Sequence, residues 1–142
     1  MSAPLGRDWL AANLPHQGAM NLLDEIVDWN DAGLRAVASG HRSPAHPLRR
    51  GDELPVACAI EYAAQAAAAH GALIAAAPSG PGMLVAVRGV EFHATRLDDT
   101  AAALDISVQP LGGGESGVIY RFDVSSAGQP LASGRLTVAF AR

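Results

Sequence analysis

The sequence has 142 residues and a net charge of −4, and 49% of its residues are hydrophobic. This length fits a single domain spanning residues 1–142, with enough apolar side chains for a core that needs no disulfide or metal. The net negative charge argues against a nucleic-acid partner, because most non-specific affinity for nucleic acids comes from basic side chains that neutralise the phosphates. The single cysteine, Cys58, excludes a disulfide within the chain.

The sequence shows no sign of secretion or of membrane insertion. Its first residues lack a basic segment followed by an apolar stretch, so we expect no signal peptide. The long apolar run at residues 54–77 contains Glu61, Gln65 and His70, which are costly to place in hydrocarbon. We therefore expect a buried helix rather than a membrane span, and a cytoplasmic location.

The first third of the chain predicts one helical turn and two strands. Residues 9–14 fit a short helix that Pro15 ends. Residues 22–29 and 34–39 fit strands joined by a turn at residues 30–33.

The central third predicts a loop and then one long helix. Residues 41–54 show no periodicity, and long loops of this kind are often functional. Pro55 is a favourable first-turn residue, so we expect a helix from there to about residue 77. The Pro-Ser-Gly-Pro-Gly run at residues 78–82 would end it.

The last part of the chain predicts antiparallel strands. They are expected at residues 83–97, with a bulge near Gly89, and at residues 103–111, 118–125 and 131–141. Gly112-Gly113-Gly114 and residues 127–130 are expected to be the turns between them. This α+β order predicts a curved antiparallel sheet wrapped around one long central helix, the arrangement called the hotdog fold.

Glu61 is the first candidate catalytic residue. An apolar helix around a carboxyl group raises its pKa and suits it to donate a proton near neutral pH. Gln65 lies four residues later on the same helix face, where it would orient Glu61 or bind the substrate. The alternative is that Glu61 faces solvent or only interacts with the helix dipole.

Two histidines are candidates for a base beside Glu61. His46 lies in the loop that leads to the helix, and His16 lies in the Leu-Pro-His-Gln-Gly run at residues 14–18. In a β-elimination, an imidazole removes the α-proton of a thioester while a carboxyl group protonates the departing β-hydroxyl. Each histidine, taken singly, also fits a structural or surface role. The histidine spacing does not predict a metal site.

Two stretches resemble the bacterial 3-hydroxyacyl-[acyl-carrier-protein] dehydratases. Residues 14–24 are similar to the L-P-H-x-x-x-M-x-L-L-D opening of those enzymes. Residues 59–66 are similar to their central-helix signature, a carboxylate three residues before Ala-Gln. With the strands that follow, the resemblance covers nearly the whole chain, and it is closest to the ApeP-like branch, named for aryl-polyene biosynthesis.

The resemblance implies an activity and a set of partners. The activity is dehydration of a (3R)-3-hydroxyacyl thioester to the trans-2-enoyl thioester in fatty-acid or polyene-type biosynthesis. The partners are an acyl carrier protein, which carries the substrate on 4'-phosphopantetheine, and other subunits in a hotdog dimer or higher oligomer. No metal or cofactor is implied. The carrier protein is acidic, so four arginines are candidate docking charges: Arg49, Arg50, Arg88 and Arg96.

The resemblance also implies roles for the candidate residues, with one departure. Glu61 carries over as the acid and Gln65 as a supporting or substrate-binding residue. Better-known dehydratases carry the base in a G-H-F-x-G loop, whereas here Pro47, Leu48 and Arg49 follow His46. His16, whose motif is intact, is therefore slightly favoured over His46 as the base. The departure leaves open a weakly catalytic or non-catalytic partner subunit of a dehydratase heterodimer, and a hotdog acyl thioesterase is a further alternative.

Overall fold

The computed structural model describes residues 4–16, 18–75, 82–114 and 117–140. Its helices are α1 (Arg7–Asn13) and the long α2 (Ala59–Ala75), which the short 3-10 turn Val56–Cys58 precedes. Its strands are, in chain order, β1 (Glu25–Asn30), β2 (Gly33–Ala38), β3 (Gly82–Phe92), β4 (Leu104–Gly114), β5 (Gly117–Ser126) and β6 (Gln129–Phe140). None of the helices in these ranges is long and apolar enough to cross a membrane.

All six strands form one antiparallel sheet in the order β1-β2-β4-β5-β6-β3. The curved sheet packs one face against α2, which confirms the predicted hotdog fold. Along β5, Tyr120, Phe122 and Val124 are buried on that face, while Arg121 between them is exposed. This alternation is the period of two that a strand with one buried face requires.

Alanine lets α2 approach the sheet closely. Ala63, Ala66 and Ala67 on the helix are fully buried, and they share one core with larger buried side chains of the sheet such as Phe122 and Ile106. Small residues on one partner and large residues on the other fill the space between helix and sheet without voids. Only 5% of the residues are aromatic, so small aliphatic side chains fill much of this layer.

The hairpin predicted at residues 127–130 is present, and its turn is tight. Ala127 has φ 49° and Gly128 has φ 80°, so both central residues adopt positive φ. Such a turn matches the right-handed twist of the two flanking strands, β5 and β6. The bulge predicted near Gly89 is also confirmed, since Gly89 has φ 59° where the pairing of β3 with β6 shifts.

The prediction of a turn at Gly112-Gly113-Gly114 is wrong. Gly112 and Gly113 lie within β4 and pair with Ile119 and Val118 of β5. A Cβ on Gly113 would lie 2.7 Å from the carbonyl oxygen of Gly117, so the two backbones approach too closely for a side chain. Gly113 therefore serves close strand contact rather than chain reversal, and Gly112 and Gly114 continue the same strand pairing.

The predicted strand at residues 83–97 is too long, because β3 ends at Phe92. The residues that follow turn towards α2 instead. The N–H of Val56 donates to the carbonyl of Thr95 at 3.1 Å, and the N–H of Leu97 donates to the carbonyl of Leu54 at 2.8 Å. The helix predicted to reach residue 77 is observed up to Ala75, and its predicted stop lies outside the described residues, except for Gly82, which begins β3.

Candidate active site

Glu61 lies in the first turn of α2, and the chain around the start of this helix is firmly held. Asp98 accepts a hydrogen bond from the N–H of Leu54 at 2.9 Å. Arg96 donates two hydrogen bonds to the same carboxylate, at 3.0 and 2.6 Å. These contacts hold the pKa of Asp98 well below its usual range, chiefly through the hydrogen bonds from Arg96. The backbone that leads to Glu61 is thus tied to the segment after β3.

His16 reaches Glu61 from the segment that follows α1. Its Nε2 lies 3.3 Å from Oε1 of Glu61, and the two side chains are 27% and 34% exposed. Leu14, two residues earlier, is buried in the core and holds this segment against the helix. The Nδ1 atom of His16 is buried and has no hydrogen-bond partner among the residues that the structure describes. Nε2 is therefore the ring nitrogen that meets the carboxylate.

Gln65 lies one helical turn after Glu61 and is fully buried. Its Oε1 accepts a hydrogen bond from the N–H of Leu22 at 2.9 Å. Its Nε2 donates to the carbonyl of Met20 at 2.7 Å and to Oε1 of Glu61 at 3.3 Å. The partners fix the orientation of the amide, since an N–H needs an acceptor and a carbonyl needs a donor. Gln65 therefore joins the chain near His16 to α2.

The pKa of Glu61 is lowered, contrary to the increase predicted from its apolar helix. The hydrogen bond from His16 has the largest effect; burial opposes it, and the hydrogen bond from Gln65 adds to it. Both hydrogen bonds reach Oε1. Among the described residues, Oε2 has no hydrogen-bond partner and remains available for chemistry. The prediction considered only the burial of the carboxyl group, whereas the hydrogen bond from His16 outweighs burial.

A pocket of about 110 Å³ opens beside this pair. Glu61 and His16 form its polar side, and the rest of its wall is apolar or small: Pro15, Ala64, Ala68, Leu84 and Val138. Leu84 belongs to β3, which is an edge strand of the sheet. A carboxylate and an imidazole thus face a small apolar space, which is the arrangement that proton transfer to and from a bound thioester requires.

The structure does not bring His46 to Glu61. Nδ1 of His46 accepts the N–H of Leu48 at 3.1 Å, so Nε2 carries the proton of the neutral ring and donates it to the hydroxyl of Tyr62 at 2.9 Å. Burial, and then the charge of Arg49, lower the pKa of His46 and favour this neutral form. Both ring nitrogens are therefore occupied within the chain. Sequence reasoning missed Tyr62, because no spacing or motif links it to His46.

The other buried histidines also have structural partners. Nε2 of His70 donates to the carbonyl of Asn30 at 2.8 Å, and its Nδ1 accepts from the hydroxyl of Tyr120 at 2.9 Å. Nε2 of His41 donates to the carbonyl of Thr100 at 2.9 Å. Within the described residues, no group of histidine, cysteine and acidic side chains could hold a metal ion.

Two of the four candidate docking arginines are engaged inside the protein. Arg96 pairs with Asp98 at 2.6 Å, and Arg49 lies 3.9 Å from the same carboxylate. Arg50 and Arg88 are exposed. Free N–H groups at the start of a helix can polarise a carbonyl group, as in an oxyanion hole. Here the N–H groups of Val56 and Cys58 already donate to backbone carbonyls.

Residues 9–141 match the family model described as ApeP-like, ApeP dehydratase. The chain belongs to the ApeP-like family. None of the curated proteins matches it.

Solved structures show the same fold. A chain of the dehydratase heterocomplex ApeI:P from Xenorhabdus doucetiae has a TM-score of 0.85 and 25% identity, and the match covers 100% of the present chain and 93% of that one. A virulence protein from Campylobacter jejuni has a TM-score of 0.60 and 12% identity, covering 94% and 89%. A mutant thioesterase from Pseudomonas aeruginosa has a TM-score of 0.55 and 14% identity, covering 80% and 78%. The last two similarities concern the fold alone.

Proposed function

We propose that this ApeP-like protein dehydrates a (3R)-3-hydroxyacyl thioester on acyl carrier protein to the trans-2-enoyl thioester. The observation that carries the proposal is the 3.3 Å contact between Nε2 of His16 and Oε1 of Glu61 at an apolar pocket. An elimination needs one group that accepts a proton and one that donates a proton, both within reach of the same substrate. This pair supplies both.

The pair performs the reaction when Glu61 is a carboxylate and His16 an imidazolium, because the ring is then neutral after it has given up its Nε2 proton. That ionising proton belongs to the pair as a unit. Because the lowered pKa of Glu61 favours its carboxylate, we place the base at Oε2 of Glu61 and the acid at Nε2 of His16. This reverses the roles expected from the sequence. The C–H electron pair becomes the C=C bond, the C–O bond breaks, and the hydroxyl leaves as water with the proton from His16. After the product leaves, rotation of the Glu61 carboxyl group brings the protonated oxygen to Nε2 of His16, and the proton passes back to the imidazole across the contact that Oε1 made before.

Gln65 acts as a positioning residue in this proposal rather than as a substrate ligand. Its amide already bonds Leu22, Met20 and Glu61, and it does not line the pocket. His46 holds its loop against α2 through Tyr62 and takes no part in the proton transfers.

The acyl carrier protein is proposed to dock near the start of α2. Arg50 is exposed there, and its charge acts on Cys58 in the turn before the helix. Since the carrier is acidic, we expect a thioester on carrier protein to react with a higher kcat/KM than the same thioester on pantetheine, and salt to reduce that advantage.

Loss of water from a 3-hydroxyacyl carrier thioester, followed by mass spectrometry, tests the proposal. Glu61→Gln and His16→Ala should each lower kcat by about 100-fold or more, the contribution typical of a positioned acid or base. Asp8→Asn neutralises an exposed carboxylate on α1, away from the pocket, and should retain the wild-type rate. Full activity in Glu61→Gln would refute the proposal.

Exchange of the α-proton into D₂O, measured with a saturated acyl thioester that cannot lose water, separates the two roles. With Glu61 as the base, His16→Ala retains exchange and Glu61→Gln loses it. The opposite pattern would assign the base to His16. Release of free thiol from an acyl-CoA, without loss of water from the hydroxyacyl substrate, would indicate a thioesterase instead.

A second interpretation is that the chain requires a different hotdog subunit for activity. The observation in its favour is the similarity to a chain of a dehydratase heterocomplex. In that case the purified chain alone is inactive, and a homologous hotdog dehydratase restores activity when mixed with it. Restoration that still depends on Glu61 would place the catalytic pair in this chain.

A further inference from the structure

Three arginines lie side by side on the outer face of the sheet, the face opposite α2. Arg135 of β6 pairs with Arg88 of β3 on one side and with Arg121 of β5 on the other, so one row crosses three neighbouring strands. All three side chains are exposed, whereas the adjacent Tyr120 and Leu136 are buried on the α2 side, as alternation along a strand requires. We call these three residues the arginine row.

The arginine row carries more positive charge than its surroundings neutralise. Nε of Arg121 lies 3.4 Å from a carboxylate oxygen of Asp123. Neither Arg88 nor Arg135 forms an ion pair with any residue that the structure describes. Like charges directly opposite each other on neighbouring strands destabilise a sheet. The row therefore reduces the stability of the free protein, and an anionic partner that binds it removes this repulsion.

Rows of different character lie on either side of the arginine row. Ile119, Thr137 and Ala86 pair across the same three strands, two residues from the arginines, which is a distance of about 7 Å. This row is uncharged, and Ile119 is 42% exposed. On the other side lie two carboxylates, Asp123 and Glu91. An acidic partner is therefore repelled on one side of the arginine row and meets an apolar surface on the other.

An amphipathic helix matches this arrangement. Neighbouring strands lie about 4.8 Å apart, so the arginine row spans about 10 Å. Carboxylates one turn apart on an α-helix repeat at about 5.4 Å, so three of them span about 11 Å. The apolar side of the same helix would cover Ile119. A nucleic acid is disfavoured as the anion, because the protein has a net charge of −4.

The arginine row and the pocket at Glu61 lie on opposite faces of the sheet. Val138 lines that pocket and is buried, whereas Thr137 beside it belongs to the outer face. A partner on the outer face therefore leaves the pocket open. Pairing of a second subunit along β3 uses backbone groups at the sheet edge and leaves the outer face open as well. A thioester delivered from the outer face would have to pass around that edge, so this surface fits a partner other than the acyl carrier protein.

We infer that the outer face of β3, β6 and β5 binds a partner protein through an amphipathic acidic helix. The helix lies across the strands, with its carboxylates over the arginine row and its apolar side over Ile119. The inference goes beyond the proposed dehydratase function and does not depend on it. Binding holds the enzyme beside its partner while the pocket at Glu61 stays accessible to substrate.

Fluorescence polarisation with two labelled helical peptides tests the inference. One peptide carries glutamate at positions i, i+4 and i+7 with a leucine after each, and the other carries glutamine in place of glutamate. The wild type should bind the glutamate peptide about tenfold more tightly. Arg135→Glu should abolish this preference, because it places a carboxylate at the centre of the row. Arg42→Glu makes the same change at an exposed position outside the sheet and should bind as the wild type does.

Two further measurements on Arg135→Glu separate loss of the binding surface from other effects. Its melting temperature should equal or exceed that of the wild type, because the new carboxylate lies between Arg88 and Arg121. Its kcat/KM for a carrier-borne thioester should be unchanged. Equal binding of both peptides to the wild type, or an unchanged preference in Arg135→Glu, would overturn the inference. So would a fall in kcat/KM for the carrier-borne thioester alone, since the row would then bind the carrier protein.

Discussion

A single carboxylate oxygen of Glu61 receives two hydrogen bonds, one from His16 and one from Gln65. This sharing divides the carboxylate into a bound oxygen, Oε1, and a second oxygen that has no partner among the described residues. Burial alone would favour the neutral acid, but the two hydrogen bonds outweigh it. The chemistry of the site is thus determined by neighbours from other parts of the chain as much as by the helix.

Replacement of His16 by alanine should raise the pKa of Glu61. The change removes the largest lowering effect and leaves burial, which raises the pKa. A carbon-13 NMR titration of carboxyl-labelled glutamate measures the shift, with exposed Glu91 as the reference carboxyl in the same spectra. A Glu61 titration that is identical in wild type and variant would show that the hydrogen bond with His16 contributes nothing in solution.

The direction of the Glu61 pKa shift also determines how this residue affects the stability of the folded protein. A carboxyl group whose pKa is lowered in the folded state stabilises the fold fully above its ordinary pKa of 4.5. That contribution is lost as the pH falls through the lower, folded-state pKa. The Glu61 carboxylate therefore favours the folded protein throughout the neutral range.

At the scale of elements, Gln65 joins helix α2 to the segment that carries His16. It satisfies the N–H of Leu22 and the carbonyl of Met20 from within the core. Because a buried backbone group without a partner is costly, this side chain couples the stability of the fold to the geometry of the site.

Gln65→Leu should lower the free energy of unfolding by about 3 kcal/mol, because two buried backbone groups lose their partners. Urea denaturation measures the change. Gln109→Leu, at an exposed position of β4, is the matched control and should change stability by about 0.5 kcal/mol or less. A Gln65→Leu protein as stable as the wild type would mean that water or a rearranged backbone replaces the amide.

Local patterns predicted most of the elements but not the contacts between them. The alternation along β5 and the apolar run of α2 identified a strand and a helix correctly. The three glycines after Leu111 predict a turn because glycine favours turns, whereas all three pair with β5. At Gly113 the close approach of the two strands leaves no room for a side chain. The distinction depends on a neighbouring strand, which sequence pattern alone does not supply.

The same limit applies to the site. The motifs at residues 14–24 and 59–66 indicated His16, Glu61 and Gln65, which the structure brings together. The partner of His46 and the direction of the Glu61 pKa shift were beyond sequence reasoning. Both depend on side chains brought together by folding, such as the hydroxyl of Tyr62.

At the scale of the whole molecule, β3 is an edge strand of the sheet. It carries two exposed apolar side chains, Leu84 at 39% and Phe92 at 46% exposure. An apolar edge strand is a template for pairing with another chain, and natural proteins usually cover it. We therefore expect a second hotdog subunit, identical or homologous, to cover this edge.

Phe92→Lys should weaken assembly of the purified protein by about tenfold, because a charge replaces an apolar contact at the edge. Sedimentation velocity over a range of concentrations measures the change. Leu111→Lys alters a residue that is 55% exposed on β4, away from the edge, and should assemble as the wild type does. Equal masses for all three proteins would show that Phe92 lies outside the interface.

The position of β3 links quaternary structure to catalysis. Its side chain Leu84 forms part of the wall beside Glu61, and the chain that leaves it at Phe92 continues to Thr95 and Leu97, which bond the backbone just before α2. A subunit that docks along β3 would restrain one continuous stretch of backbone. This stretch runs from the wall of the pocket beside Glu61 to the segment just before α2. Association would thereby change the catalytic rate by restraining this backbone, without the second subunit contacting the reacting atoms.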